Sequence, residues 1–183
     1  MHALPLRDRL HRRESGWCRR ANALCSQGPT LAFFGAVSRL GDGGLWYALM
    51  ASMVLADSRA GLLASLHLAA TGAIALFVYK LLKRWTRRPR PFASDVRIRA
   101  WVAPLDEFSF PSGHTLHAVA FSTVAIAHYP MLAWVLAPFT LAVALSRVVL
   151  GLHYPSDVLA ATAIGGLLAA LSLWLVPGVP LPG

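Results

Sequence analysis

Apolar positions in this chain come in long blocks, not in alternation with polar ones, and several blocks have the length of a bilayer crossing. A hydrocarbon core about 30 Å thick takes roughly 20 residues of apolar helix. Residues 62–82 run almost without interruption to Lys83, residues 131–150 stop at a turn containing Gly151, His153 and Pro155, and residues 158–176 stop in a Pro- and Gly-rich tail. A fourth block, 112–128, is shorter. The apolar stretch 31–56 is broken by Gly41-Asp42-Gly43-Gly44, which leaves two halves each too short for a standard span. Either 44–57 crosses while 31–40 lies in the interface, or both halves cross as a hairpin. The pattern predicts an all-α protein, a polytopic transmembrane helical bundle of five spans, with six as the alternative.

Composition supports the membrane assignment: 56% of 183 residues are hydrophobic, 14% are charged, and mean hydropathy is +0.55, too apolar for one water-soluble domain. The net charge of +9 is concentrated in the N-terminus and in the loop 83–99, a membrane pattern and not a nucleic-acid one. Residues 1–30 form a basic arm without the apolar core or cleavage site of a secretory signal, expected to persist as a solvated, interfacial segment that sets topology and touches anionic lipid. Residues 31–183 form the membrane-embedded domain, with its polar motifs in 83–157. Cys18 and Cys25 receive no role. With five spans the arm and the basic loop share one face, which is compatible with the positive-inside rule; with six they oppose each other, and the charge pattern leaves the side of the membrane open.

Three polar stretches fall on one membrane face, since an even number of helices separates them. In the first, Lys83 closes a helix and Arg90-Pro91 follows, with Arg84, Arg87 and Arg88 between them as ordinary topology anchors. The second, Pro111-Ser112-Gly113-His114, stands at a helix start and offers a hydroxyl, an unhindered N–H and an imidazole at the positive end of a helix dipole, an arrangement that binds phosphate. Ser112 would serve equally as a plain N-cap worth about 1 kcal/mol. The third places Arg147 at a helix end, then His153, then Asp157 just inside the last helix, where it could accept a hydrogen bond from His153 and fix its tautomer.

These stretches read as KxxxxxxRP, PSGH and SRxxxxxHxxxD, complete and in order, and they resemble the three signature motifs of the type 2 phosphatidic acid phosphatase family, relatives of the vanadium haloperoxidases. The region upstream departs from many family members, being short and basic. The resemblance implies a metal-independent membrane lipid phosphatase. His153 would be the nucleophile that forms a phosphohistidine, Asp157 would orient it, and His114 would protonate the leaving oxygen and then activate water. Lys83, Arg90, Ser112, Gly113 and Arg147 would bind the phosphate, with no cofactor. Neutral His153 and cationic His114 together require a bell-shaped pH profile.

The substrate expected is a lipid phosphate whose tail enters between helices: polyprenyl pyrophosphate first, then phosphatidylglycerophosphate or phosphatidic acid. Membrane lipids are the only other partners expected, nucleic acid is not one, and the location is the cell (inner or plasma) membrane. Alternatives are a phosphotransferase using the same phosphohistidine, an anionic-lipid-binding protein without catalysis, a haloperoxidase, and a zinc site drawn from His114, His117, His128, His153 and Asp157. Nearby cations would repel such a metal. Of the remaining polar residues, His117 is expected to pack between helices or on the pocket wall, and His67 and His128 at the interface. Asp106 and Glu107 are expected as a solvated loop pair, with contact to a substrate head group or a neighbouring Arg as the alternative; Trp85 and Trp101 sit in the aromatic belt, and Asp42 pairs with a basic loop residue.

Overall fold

The Gly41–Gly43 break acts as its composition demands. Gly43 sits at φ 138°, a conformation L side chains rarely adopt, and the chain turns there between α2 (Gly28–Leu40) and α3 (Gly44–Ala56). The computed structural model describes residues 6–176, and no strand occurs among them. The other helices are α1 (Leu6–Ala23), α4 (Ser58–Thr86), the short α5 (Pro91–Ser94), α6 (Gly113–His128), α7 (Ala133–Val149) and α8 (Pro155–Leu175). Three segments, Ser58–Ser94, Pro130–Val149 and Pro155–Leu175, are long and apolar enough to cross a membrane, while α3 and α6 are shorter. The fold is an all-α polytopic transmembrane bundle.

Helix ends carry the polar motifs, and local chemistry sets those ends. The last turn of α4 closes when Arg87 enters the left-handed region and its N–H bonds to Lys83 O; Pro89 then blocks continuation. The chain leaves in extended form through Arg90. α6 starts where the Ser112 side chain accepts the Thr115 N–H. α8 starts on Pro155, whose missing N–H costs nothing in a first helical turn.

α6 is the central helix. It packs on α4, α7 and α8, burying Leu116, Ala118, Ala120, Val124 and Ala125, so its modest length suits a helix sheltered by its neighbours. Small residues allow close approach: a Cβ on Gly165 of α8 would lie 2.6 Å from the Leu116 carbonyl oxygen. Trp46, Leu68, Val124, Leu136, Val143 and Ala169 fill the core between these helices.

The N-terminus departs from the expected solvated arm. α1 lies against α7 and α8, and Glu14, Cys18, Asn22 and Cys25 form a buried stripe at helical spacing while Arg12, Arg13, Trp17 and Arg20 face outward. Asn22 ties the α7 end to the loop after α5, donating through Nδ2 to Arg99 O (2.9 Å) and Val149 O (3.0 Å) and accepting from Arg99 N (2.9 Å).

Candidate active site

One end of the bundle gathers the motif residues. The last turn of α4 supplies Lys83, the following loop Arg90, the end of α7 Arg147, the α7–α8 loop His153, and the start of α6 Gly113 and His114. All six border a single cavity of about 890 Å³. Gly151, at φ 78°, makes the turn that brings His153 inward, and its Cα lies so close to Arg99 O that a Cβ would stand 2.5 Å from it.

His153 is 1% exposed and its tautomer is fixed by two partners of opposite kind. Nδ1 lies 2.6 Å from Ser109 O, which can only accept, and Nε2 lies 3.2 Å from Arg90 Nη1, which can only donate. The hydrogen is therefore on Nδ1 and the lone pair on Nε2, at the cavity wall. Burial, reinforced by Arg147, Arg90 and Lys83, drives its pKa well below the usual imidazole range, so the ring is neutral.

The hydrogen bond expected between His153 and Asp157 is not made. Their Nδ1 and Oδ2 atoms are 3.7 Å apart, because Asp157 turns back to cap its own helix, accepting the Tyr154 N–H at 2.8 Å. Its other oxygen accepts from Arg88 Nη1 at 2.7 Å. Arg88 is thus more than a topology anchor: it also reaches Glu14 and Ser156, each at 2.7 Å.

Lys83, Arg90 and Arg147 are each at most 5% exposed, an arrangement that costs several kcal/mol per ion unless anions compensate. Asp106, expected in solvent, supplies part of that compensation from inside the cavity. Its Oδ1 accepts from Lys83 Nζ at 2.7 Å and from Arg90 Nη2 at 2.8 Å. Burial resists ionisation of Asp106, but the Lys83 and Arg90 contacts outweigh it and hold its pKa below the ordinary carboxylate range. Arg147 is held from α2 by a hydrogen bond to Ser38.

Asp42 pairs with His114, its Oδ1 accepting from Nε2, and not with a basic loop residue. Burial opposes its charge, yet that hydrogen bond and the positive charge of His114, Arg147 and Arg39 leave its pKa lowered. Ser112 stands back from the cavity as the α6 cap, its hydroxyl 2.9 Å from Thr115 Oγ1. His117 lines the cavity as expected. His67 and His128 pair with each other at 3.0 Å, and His67 also contacts Ser172 at 3.1 Å. His128 closes α6, whereas His114 opens it, about 20 Å away at the helical rise, so the five-residue zinc set is not assembled.

From the polar end the cavity continues between α3 and α4, walled by Trp46, Tyr47 and Met50 on one side and Ala69, Gly72 and Leu76 on the other. Tyr47 (71% exposed) and Leu76 (41%) stand at its edge, on the apolar outer face of the bundle.

A buried, lone-pair-bearing imidazole facing three buried cations, beside an apolar slot, describes an integral-membrane protein with an anion-attracting cavity open to its apolar face. Residues 64–179 match the PAP2 superfamily, and the chain belongs to it. It is 33% identical over 156 residues to the decaprenylphosphoryl-5-phosphoribose phosphatase of Mycobacterium tuberculosis, covering 82% of each chain. It is also 31% identical over 99 residues to undecaprenyl-diphosphatase BcrC of Bacillus subtilis, 54% of this chain and 51% of that protein, so it spans only about half of that relative. Its fold is similar to the crystal structure of the transmembrane PAP2-type phosphatidylglycerolphosphate phosphatase of Bacillus subtilis, with a TM-score of 0.74, 25% identity, and 91% and 85% of the two chains covered.

Proposed function

We propose that this protein is a membrane lipid phosphatase that works through a phosphohistidine on His153, with a polyprenyl pyrophosphate as lead substrate and a glycerophospholipid phosphate as the next choice. The observation that carries the reading is the His153 Nε2 lone pair at the wall of a cavity where Lys83, Arg90 and Arg147 are buried. Phosphoryl transfer needs positioning and neutralisation of charge on the equatorial oxygens more than it needs covalent assistance. The three cations supply that neutralisation, and the Gly113 N–H at the start of α6 adds a donor aligned with the helix dipole.

In the first step His153 Nε2 forms a bond to phosphorus while the bond from phosphorus to the lipid-side oxygen breaks. His114 gives that oxygen its proton, with Asp42 as the counter-charge an imidazolium there requires. The Ser109 carbonyl holds the Nδ1 hydrogen as the ring gains positive charge. In the second step His114 takes a proton from water, oxygen bonds to phosphorus, and the N–P bond breaks to release phosphate. Asp157 and Ser112 act from behind the cavity, through the ends of α8 and α6. The decaprenyl and undecaprenyl names of two relatives support a prenyl tail in the slot between α3 and α4. The long apolar helices and the membrane relatives support residence in the cell membrane.

The test is phosphate release by purified, detergent-solubilised protein from polyprenyl pyrophosphate, phosphatidylglycerophosphate and phosphatidic acid in excess EDTA, beside His153→Ala. Release should survive chelation, disappear in the variant and rank the lipids; no release from any of them would sink the reading.

A further inference from the structure

α1 lies outside the residues that match the superfamily, 64–179, yet one of its side chains reaches the turn that carries His153. Glu14 is 9% exposed and uses both oxygens: Oε2 accepts from Arg88 Nη2 at 2.7 Å, and Oε1 accepts the Ser156 N–H at 2.9 Å. From the other side of the guanidinium, Arg88 Nη1 donates to Asp157 Oδ1 and Ser156 Oγ, each at 2.7 Å, and its plane lies over the Tyr154 ring at 4.2 Å. Tyr154, Ser156 and Asp157, all within four residues after His153, are therefore fastened to one acid–base–acid chain that begins on α1.

Without the Glu14 charge, Arg88 loses one of its two anchoring carboxylates, and a Gln there can still accept the Ser156 N–H, an orphan donor of the first turn of α8, only by turning its NH2 toward Arg88. The docking of α1 itself has other supports, the three Asn22 hydrogen bonds and the buried Cys18 and Cys25. Glu14 thus acts on the His153 turn more than on the attachment of the helix that carries it.

We infer that Glu14 is a positioning residue for phosphoryl transfer: by clamping Arg88 against Asp157 and capping α8, it holds His153 at attack geometry. The inference rests on the reading of His153 as the nucleophile. An error of about 1 Å in such a group costs on the order of 100-fold in rate without weakening substrate binding.

The experiment compares wild type, His153→Ala, Glu14→Gln, Glu14→Asp, Arg88→Lys and the Glu14→Gln/Arg88→Lys double variant, on the lipid phosphate that wild type hydrolyses fastest, with thermal midpoints alongside. Glu14→Gln should lower kcat about 10- to 100-fold with KM within about twofold of wild type, measured well below a midpoint that falls as one carboxylate leaves Arg88. Glu14→Asp, which keeps the charge, should recover part of the loss, and it carries the test if Glu14→Gln does not fold. The double variant should be no worse than the poorer single, as expected of residues acting as one unit. Wild-type kcat in Glu14→Gln, a change in KM alone, or strictly multiplicative losses in the double variant would overturn the inference while leaving the phosphatase reading intact. A wild type that is silent on every lipid would overturn both.

Discussion

If Lys83 and Arg90 bind the substrate phosphate as proposed, Asp106 holds its place, and replacing it with Asn should tighten anion binding. Its single oxygen Oδ1 satisfies both Lys83 and Arg90, at 2.7 and 2.8 Å, and a phosphate cannot engage those cations until it leaves. Charge-assisted hydrogen bonds are worth about 1.5–3 kcal/mol each when sheltered. The Asp106 side chain is 37% exposed, which screens the pair toward the 0–1 kcal/mol of surface contacts. Taken together, about 1–2 kcal/mol opposes binding, or roughly 5- to 30-fold in affinity at 1.4 kcal/mol per decade. The inhibition constants of inorganic phosphate and vanadate, measured against a fixed lipid substrate, should fall by that factor in Asp106→Asn, and KM should fall with them. Because Asp106 stays ionised below the ordinary carboxylate range, the gap between variant and wild type should be constant from about pH 5 upward. Unchanged or weaker inhibition would refute the reasoning, since a carboxylate that does not compete for Lys83 and Arg90 has no reason to mask them.

Three further outcomes follow from the same geometry. If His153 is the nucleophile, its neutral form is the reactive one, and because its pKa is depressed, activity attributable to it is full above the unperturbed pKa of about 6.5 and is lost only as pH falls further; a kcat/KM profile whose acidic limb lies at or above pH 6.5 would contradict this. His114→Ala should lose about 100- to 10,000-fold on alkyl phosphates but far less on an aryl phosphate, whose leaving oxygen needs no proton, and Asp42→Asn should show the same selectivity more weakly; equal losses on both esters would rule out His114 as the acid. Gly165→Ala should cost about 1–3 kcal/mol, read as a lower thermal midpoint, because its Cβ would meet the Leu116 carbonyl oxygen at 2.6 Å and push α8 from α6.

The parts of the site that lie at helix ends were legible in the sequence. Lys83, Gly113, His114, Arg147 and His153 were placed on one face by counting helices between polar stretches, and they do border one cavity. The partners of those residues were not legible. Asp42 and His114 are 72 positions apart and Glu14 and Arg88 are 74 apart, so only tertiary packing joins them. The acceptor that fixes His153 is the main chain of Ser109, which any residue type would offer equally. The spacing from His153 to Asp157 suggested a direct bond, but Pro155 starts the helix between them; His153 stays in the loop while Asp157 serves the Tyr154 N–H. The Arg content of the arm points to solvent, whereas the four-residue steps from Glu14 to Cys18 to Asn22 carry the stripe that packs on the bundle.

On the proposed reaction, the slot between α3 and α4 would give the two products separate exits. A lipid alcohol or lipid monophosphate released at the first step can slide sideways past Tyr47 and Leu76 into the bilayer, while inorganic phosphate leaves through the polar end past Lys80 and Arg84. Lipid departure would then not have to wait for hydrolysis of the proposed phosphohistidine. Encounter with the next substrate is then a two-dimensional search, in which turnover follows the mole fraction of lipid phosphate in the membrane or micelle and not its bulk concentration. Diluting the substrate with inert detergent at constant total substrate should slow the enzyme for that reason alone.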